Sequence, residues 1–271
     1  MWLSVEHVTR FSYDAPIVDA HTELRLKPAH RSGQRCSSFT VRTDPRGTSV
    51  EEYVDRFGSS VHHFDVLEPH TALEVRVQSE VWTPEHYEDD RPPPTDLETW
   101  DFLQATRYVP LDGAVAHLAT QVDQEQDGWS TARALVERVR GSMTYERGTT
   151  NVHTRADEAL ADGRGVCQDF AHVLLGLCRS HGVPARYVSG YLFDPDGNGA
   201  GDSGASHAWV DVYDEHRGWL SLDPTHDTEQ TERYVRVGVG RDYADVPPTR
   251  GVYRGKAEEE LDVVVLIREL G

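Results

Sequence analysis

Lysine is nearly missing from this chain: Lys27 and Lys256 are its only lysines, in 271 residues that carry 46 acidic side chains and a formal net charge of -19. The remaining fixed side-chain cations are arginines, and a net charge this negative repels a nucleic-acid backbone and an anionic membrane alike, which argues against both as partners. No run of about 18 apolar residues is present to span a bilayer. The opening Met1-Trp2-Leu3-Ser4-Val5-Glu6-His7 has neither the basic nor the apolar region of a secretory signal. The expectation is a soluble, cytoplasmic protein.

Cysteine is scarce as well. Cys36, Cys167 and Cys178 cannot all pair, and their spacing matches neither a disulfide framework nor a zinc knuckle. If Cys167 and Cys178 share one helix, a rise of about 1.5 Å per residue separates them by about 16 Å, beyond the roughly 7 Å limit for a bridge. Cys178, inside Leu174-Leu175-Gly176-Leu177-Cys178, reads as buried filler. The histidines of the first half show no spacing that demands a metal, and no cofactor is called for.

What is present suffices for two modest domains, with 38% hydrophobic and 27% charged residues. From residue 1 to about 83, segments such as Leu3 to Val8, Phe39 to Thr43 and Leu73 to Val81 alternate apolar and polar residues, the period of half-buried strands. Turn clusters at Asp44-Pro45-Arg46-Gly47 and Phe57-Gly58-Ser59-Ser60 space them as in an antiparallel β-sandwich, assigned to residues 1–84. An acidic, proline-bearing linker follows over 85–96.

Residues 97–271 then read as an α+β catalytic domain. Helical patterns cover Leu97 to Arg107, Gly113 to Val122, Ser130 to Met143 with Ser130 as N-cap, and Cys167 to His181, stopped by Gly182 and Pro184. Strand patterns follow at Ala185 to Phe193, Ser206 to Tyr213, Trp219 to Leu222 and Tyr234 to Gly240. A last strand, Leu261 to Ile267, has no evident home.

The chemistry starts at Gly165-Val166-Cys167-Gln168-Asp169-Phe170-Ala171-His172, which sets a cysteine at the head of an apolar helix. Unpaired N–H groups and the helix dipole favour a thiolate there and can hold an oxyanion. Downstream stand Ser206-His207-Ala208-Trp209 and Leu222-Asp223-Pro224-Thr225. If their strands form a hairpin turning between Asp214 and Gly218, the pairing centre falls near residue 215 or 216, and His207 and Asp223 share one face, opposite or diagonal. Each piece alone is commonplace: a core cysteine, a hydrogen-bonded histidine, an Asp-Pro turn. Their order and spacing supply a nucleophile, a base and an orienting carboxylate. His172, five residues after Cys167, lies on a different helix face and is a poorer base.

These motifs, with Ala185-Arg186-Tyr187-Val188-Ser189-Gly190-Tyr191, resemble the bacterial transglutaminase-like family of the papain-like superfamily. The likeness extends over essentially the whole chain: His7, Phe11-Ser12-Tyr13 and Glu23-Leu24-Arg25-Leu26 are similar to the β-sandwich preceding the family's core, and Gly240 to Pro248 to its C-terminal signature. The resemblance implies a papain-like transglutaminase core with Cys167 as nucleophile, His207 as general base and acid, and Asp223 as orienter. One departure is Ser59 after Gly58, where the family commonly has Asn.

The implied reaction is attack of Cys167 on a carboxamide or peptide carbonyl of a peptide or protein substrate. A thioester results, resolved by water in a cysteine protease or by an amine in a transglutaminase. The Cys167 N–H is a natural oxyanion donor, with Tyr145, Trp129 and Gln168 as candidates for the second. The alternative is a non-catalytic protein that keeps this fold for binding. The loop Asp194 to Asp202 opens like a calcium loop but has Ala205 at the twelfth position, and reads as a glycine-rich loop beside the cleft rather than a metal site. Oligomeric state is not written in the sequence.

Overall fold

The computed structural model describes residues 1–87, 92–195 and 206–271. The first strand, β1 (Trp2–Leu24), is long enough to serve two layers. Its first half lies between β5 (His70–Trp82) and β14 (Glu259–Glu269), with β2 (Arg35–Asp44) outside β5. Its second half lies between β4 (Ser60–Val66) and β13 (Thr249–Arg254), with β3 (Glu51–Val54) outside β4. The buried positions change parity on the way, from Leu3 and Val5 to Ala20 and Leu24. Asp19, with φ of 49°, lies within the register irregularity between Val18 and His21, and this bulge keeps the apolar face inward as the strand curls. The layers close on Leu3, Ile17, Leu24, Phe64, Val75 and Val265.

The last strands thus complete the first sheet. The sequence division had placed 249–271 with the catalytic part, but β13 and β14 pair with β1, because Val265 and Ile267 fill the sandwich core. The two parts also share that core: Tyr191, Phe193, Val235 and Val237 pack into it. Ala29 N donates to Arg236 O at 2.9 Å across the seam. The departure at Ser59 falls here too, its Oγ accepting from Val239 N at 3.4 Å.

Between the sheets run α1 (Asp96–Asp101), α2 (Gly113–Ala119), α3 (Gly128–Ser142), the short strand β6 (Thr144–Tyr145), α4 (Ala156–Asp162), β7 (Arg164–Gly165) and α5 (Cys167–Ser180). Helix α1 ends at Asp101 instead of continuing to Arg107, since Phe102 turns inward against Phe57 and Trp219. The N-cap of α3 is Asp127, not Ser130: its carboxylate accepts from Ser130 N at 2.6 Å. The second sheet has the order β11-β10-β9-β8-β12, made of β8 (Ala185–Leu192), β9 (Ser206–Asp214), β10 (Gly218–Asp223), β11 (Thr228–Glu229) and β12 (Tyr234–Gly240). The result is an α+β fold, strands curled antiparallel in front and helices packed on an antiparallel sheet behind. Among the described residues no helix is long and apolar enough to cross a membrane.

Helix α5 occupies the centre, with α2, α3 and α4 on one side and β8 and β9 on the other. Every residue from Gln168 to Arg179 is buried, so the apolar run is a core helix rather than an amphipathic one. Cys178 lies fully inside, its thiol pushed up to about 12 by burial. His172 is buried as well: its Nε2 accepts from Tyr243 N at 3.2 Å and its ring stacks on Tyr108, with burial holding its pKa down to about 3. It is a locking residue, in keeping with its rejection as a base. The 240–248 segment is that lock, for Arg179 also donates to Arg241 O, and Arg241 pairs with Asp245 at 2.9 Å.

Candidate active site

Cys167 is the first residue of α5, half-buried against the helical core. Its position is set by the residues around it. The short parallel pair β6–β7 delivers Gly165, and Asp169 folds back so that its Oδ2 accepts from Val166 N at 2.7 Å and from Thr150 Oγ1 at 2.6 Å. That turn needs glycine at 165, where a Cβ would stand 2.6 Å from Asp169 Oδ2 and 2.7 Å from Asp169 Cβ. Burial raises the Asp169 carboxyl pKa against the lowering by these bonds.

The hairpin of β9 and β10 has the register expected from the sequence. Gly218 pairs with Asp214 and Leu222 with Val210, so the step after Leu222 places Asp223 opposite Trp209, diagonal to His207 on the same face. His207 Nε2 lies 2.7 Å from Asp223 Oδ2, and both side chains are buried. On its other side His207 faces Cys167, the two sharing one cleft, and the sulfur is near enough to act on the charge of the imidazole. The structure therefore brings all three sequence-selected residues together. Burial disfavours charge on both partners, yet the Asp223 carboxylate and the Cys167 sulfur hold His207 above the ordinary imidazole range. His207 and His226 in turn hold Asp223 well below the usual carboxylate range.

Two residues that the sequence reading missed complete the arrangement. His226 Nδ1 and the Tyr234 hydroxyl each lie 2.8 Å from Asp223 Oδ2, while Asp223 Oδ1 accepts from Thr225 N at 2.8 Å. His226 carried a local signal, being three residues beyond the Asp of an Asp-Pro turn whose carboxylate caps the following N–H groups. Tyr234 carried none, because it comes from the other edge of the sheet. Its ring packs edge-on against Trp209, and Gly190 makes room: a Cβ there would stand 2.1 Å from Val235 O and 2.6 Å from Trp209 Cη2. Burial and the Asp223 charge raise the Tyr234 phenol, so it stays a donor.

A cleft of about 1160 Å³ opens over these groups. Of the three candidates for a second oxyanion donor, Tyr145 and Gln168 line it, whereas Trp129 lines a small separate cavity with Arg186 and Trp219. Strand β14 supplies one wall through Leu266, Ile267 and Arg268, so the sandwich itself borders the site. Asp194, the first residue of the calcium-like pattern, lies on the rim and pairs with Arg233 at 3.5 Å; residues 196–205 of that loop fall outside the described part. His207, Asp223 and His226 converge closely enough to hold a cation, but the Asp223 oxygen between them already accepts from both imidazoles and from Tyr234.

Comparison with known proteins agrees in fold and family. Residues 116–224 match the model of the transglutaminase-like superfamily, and residues 3–82 that of the bacterial transglutaminase-like N-terminal region. An uncharacterised protein of Mycobacterium leprae is 37% identical over 286 residues, covering 100% of both chains. A protein-glutamine gamma-glutamyltransferase of Pseudomonas aeruginosa is 35% identical over 109 residues, which are 36% of this chain and 16% of that enzyme. Among solved structures, a Cytophaga hutchinsonii protein provisionally described as a cysteine protease superposes with a TM-score of 0.79 at 21% identity, covering 100% of this chain and 92% of that one.

Proposed function

From the premise that the chain belongs to the transglutaminase-like superfamily, we propose that it is a thiol-dependent amide acyltransferase or hydrolase acting through a thioester on Cys167. The observation that carries this reading is the relay Cys167–His207–Asp223, a thiol at a helix head in contact with an imidazole whose other nitrogen is held by a buried carboxylate. The Cys167 sulfur attacks the carbonyl of a carboxamide as His207 takes the thiol proton. The C–N bond breaks as His207 returns that proton to the departing nitrogen, leaving a thioester. Water or an amine then attacks, its proton passing to His207, and the C–S bond breaks to restore the thiol.

The Cys167 N–H at the helix head, with Tyr145 or Gln168, serves the developing oxyanion. The size of the cleft and its wall from β14 suit a peptide or protein substrate. The glutamyltransferase relative, short as the matched part is, makes a glutamine side chain the first carboxamide to try. A Gln-bearing peptide is incubated with the protein, with and without a primary amine. Ammonia released only with amine identifies transfer; ammonia without amine, or backbone cleavage, identifies hydrolysis. If no peptide turns over and iodoacetamide alkylates Cys167 no faster than an ordinary free thiol, the enzyme reading is wrong.

A further inference from the structure

The outer face of the sandwich holds a cluster that no local sequence spacing announces. His21 of β1 pairs with Asp65 of β4, and Glu23 with His63, so His21, His63 and Asp65 form one diagonal patch on the solvent side. The two imidazoles converge on a single oxygen: Asp65 Oδ1 lies 2.6 Å from His21 Nδ1 and 3.1 Å from His63 Nε2, with the rings nearly parallel at 7°. The three ligand atoms all lie within 4.8 Å of one another. We propose that His21, His63 and Asp65 form a binding site for a divalent transition metal of the Zn²⁺ class.

The donor set argues for that class. Two imidazole nitrogens and one carboxylate oxygen suit Zn²⁺ and its neighbours, not Ca²⁺ or Mg²⁺, which demand oxygen ligands. Tetrahedral ligands at about 2.0 to 2.1 Å from a metal stand roughly 3.4 Å apart, so the observed separations need only small side-chain rotations to admit an ion. Both imidazoles would coordinate as neutral rings, each with its proton on the outward nitrogen. The main chain is braced at this point: Thr48 Oγ1 accepts from Asp65 N at 3.0 Å and Thr48 N donates to Asp65 O at 2.8 Å, tying the backbone of Asp65 to the loop before β3. Glu51, paired with His63 in the β3–β4 ladder, adds a further acidic group to this face. Side-chain exposures of 48% for His21 and 36% for His63 leave room for water to fill the fourth position of a bound ion.

None of the three residues lines the catalytic cleft, so binding is read independently of turnover. Untagged protein carrying Cys167→Ser and His226→Ala, which disables the second His/Asp cluster, is dialysed against Zn²⁺ and its bound metal measured. One equivalent per chain is expected, falling to background in His21→Ala, in His63→Gln and in Asp65→Asn. Circular dichroism of each variant distinguishes loss of ligand from loss of fold. Zn²⁺ should also raise the melting temperature of the parent and leave that of His63→Gln unmoved. Failure of the parent to bind, or binding that survives His21→Ala and His63→Gln, overturns the site.

Discussion

Tyr234 reaches Asp223 across two intervening strands, its hydroxyl 2.8 Å from the same Oδ2 that faces His207 Nε2 at 2.7 Å. The first residue of β12 and the last of β10 lie at one end of the sheet, so the orienting carboxylate is held from both sides of the hairpin that carries it. A bond to a charged acceptor is worth about 1.5 to 3 kcal/mol. Tyr234→Phe should therefore lower kcat by about ten- to a hundredfold with KM nearly unchanged. A change confined to KM would assign Tyr234 to the substrate wall instead.

Asp223→Asn tests the relay itself. An amide can face the imidazole with its N–H and stabilise the wrong tautomer, so turnover should fall by about three to four orders of magnitude while the fold persists. Alkylation of Cys167 by iodoacetamide at neutral pH should slow by at least about tenfold in both Asp223→Asn and His207→Ala, since one misorients and the other removes the imidazole that takes the thiol proton. Equal alkylation rates in wild type and both variants would disconnect the cysteine from the pair.

The elements that carry the site were largely legible because each is local: the apolar run after Cys167, the alternation from Ser206 to Tyr213, the turn between Asp214 and Gly218. Hairpin parity alone put His207 and Asp223 on one face. What stayed hidden is non-local. Tyr234 meets Asp223 only because Gly190 lets the Trp209 ring lie across β8, and Leu266 to Arg268 reach the cleft only because the C-terminal strand returns to β1. The histidines of the first half likewise show no metal-like spacing along the chain, although the ladder joins His21 to Asp65.

Buried histidines make the fold acid-sensitive. Burial lowers His7 to about 4 and His172 to about 3, from 6.5 when unfolded. Below pH 6.5 the unfolded chain binds protons that the folded one refuses, so each group removes about 1.4 kcal/mol of stability per pH unit until its folded value is reached. His207 has the opposite sign: burial lowers it, but Asp223 and Cys167 raise it overall, so its contribution is complete below 6.5 and is lost as pH rises through the raised value. Asp223, lowered, contributes above its unfolded value of 3.8 and loses that as pH falls. Urea midpoints measured from pH 7 to 4 should fall steeply in wild type and less steeply in His172→Gln, which can still accept from Tyr243 N. An unchanged slope would mean that His172 is not buried as the neutral ring.

On the same face of the sheet, four residues along β9 from His207, one buried carboxylate serves two guanidinium groups. Asp211 Oδ2 accepts from Arg186 Nε at 2.7 Å and from Arg236 Nη1 at 2.6 Å, and Ser221 Oγ donates to Oδ1 at 2.6 Å. Arg186 lies over the Trp219 ring at 4.1 Å, and the cluster joins β8, β9, β10 and β12 on the face that carries His207 and Asp223. The two possible breaks are unequal. Arg236→Met leaves a neutral Asp211–Arg186 pair, at a cost of about 3 kcal/mol for the broken contacts. Asp211→Asn removes the carboxylate that both guanidinium groups share, and should cost more than Arg236→Met by at least about 1 kcal/mol. Urea unfolding at pH 7 measures both, and the reverse order would mean that solvent, not Asp211, balances the second guanidinium.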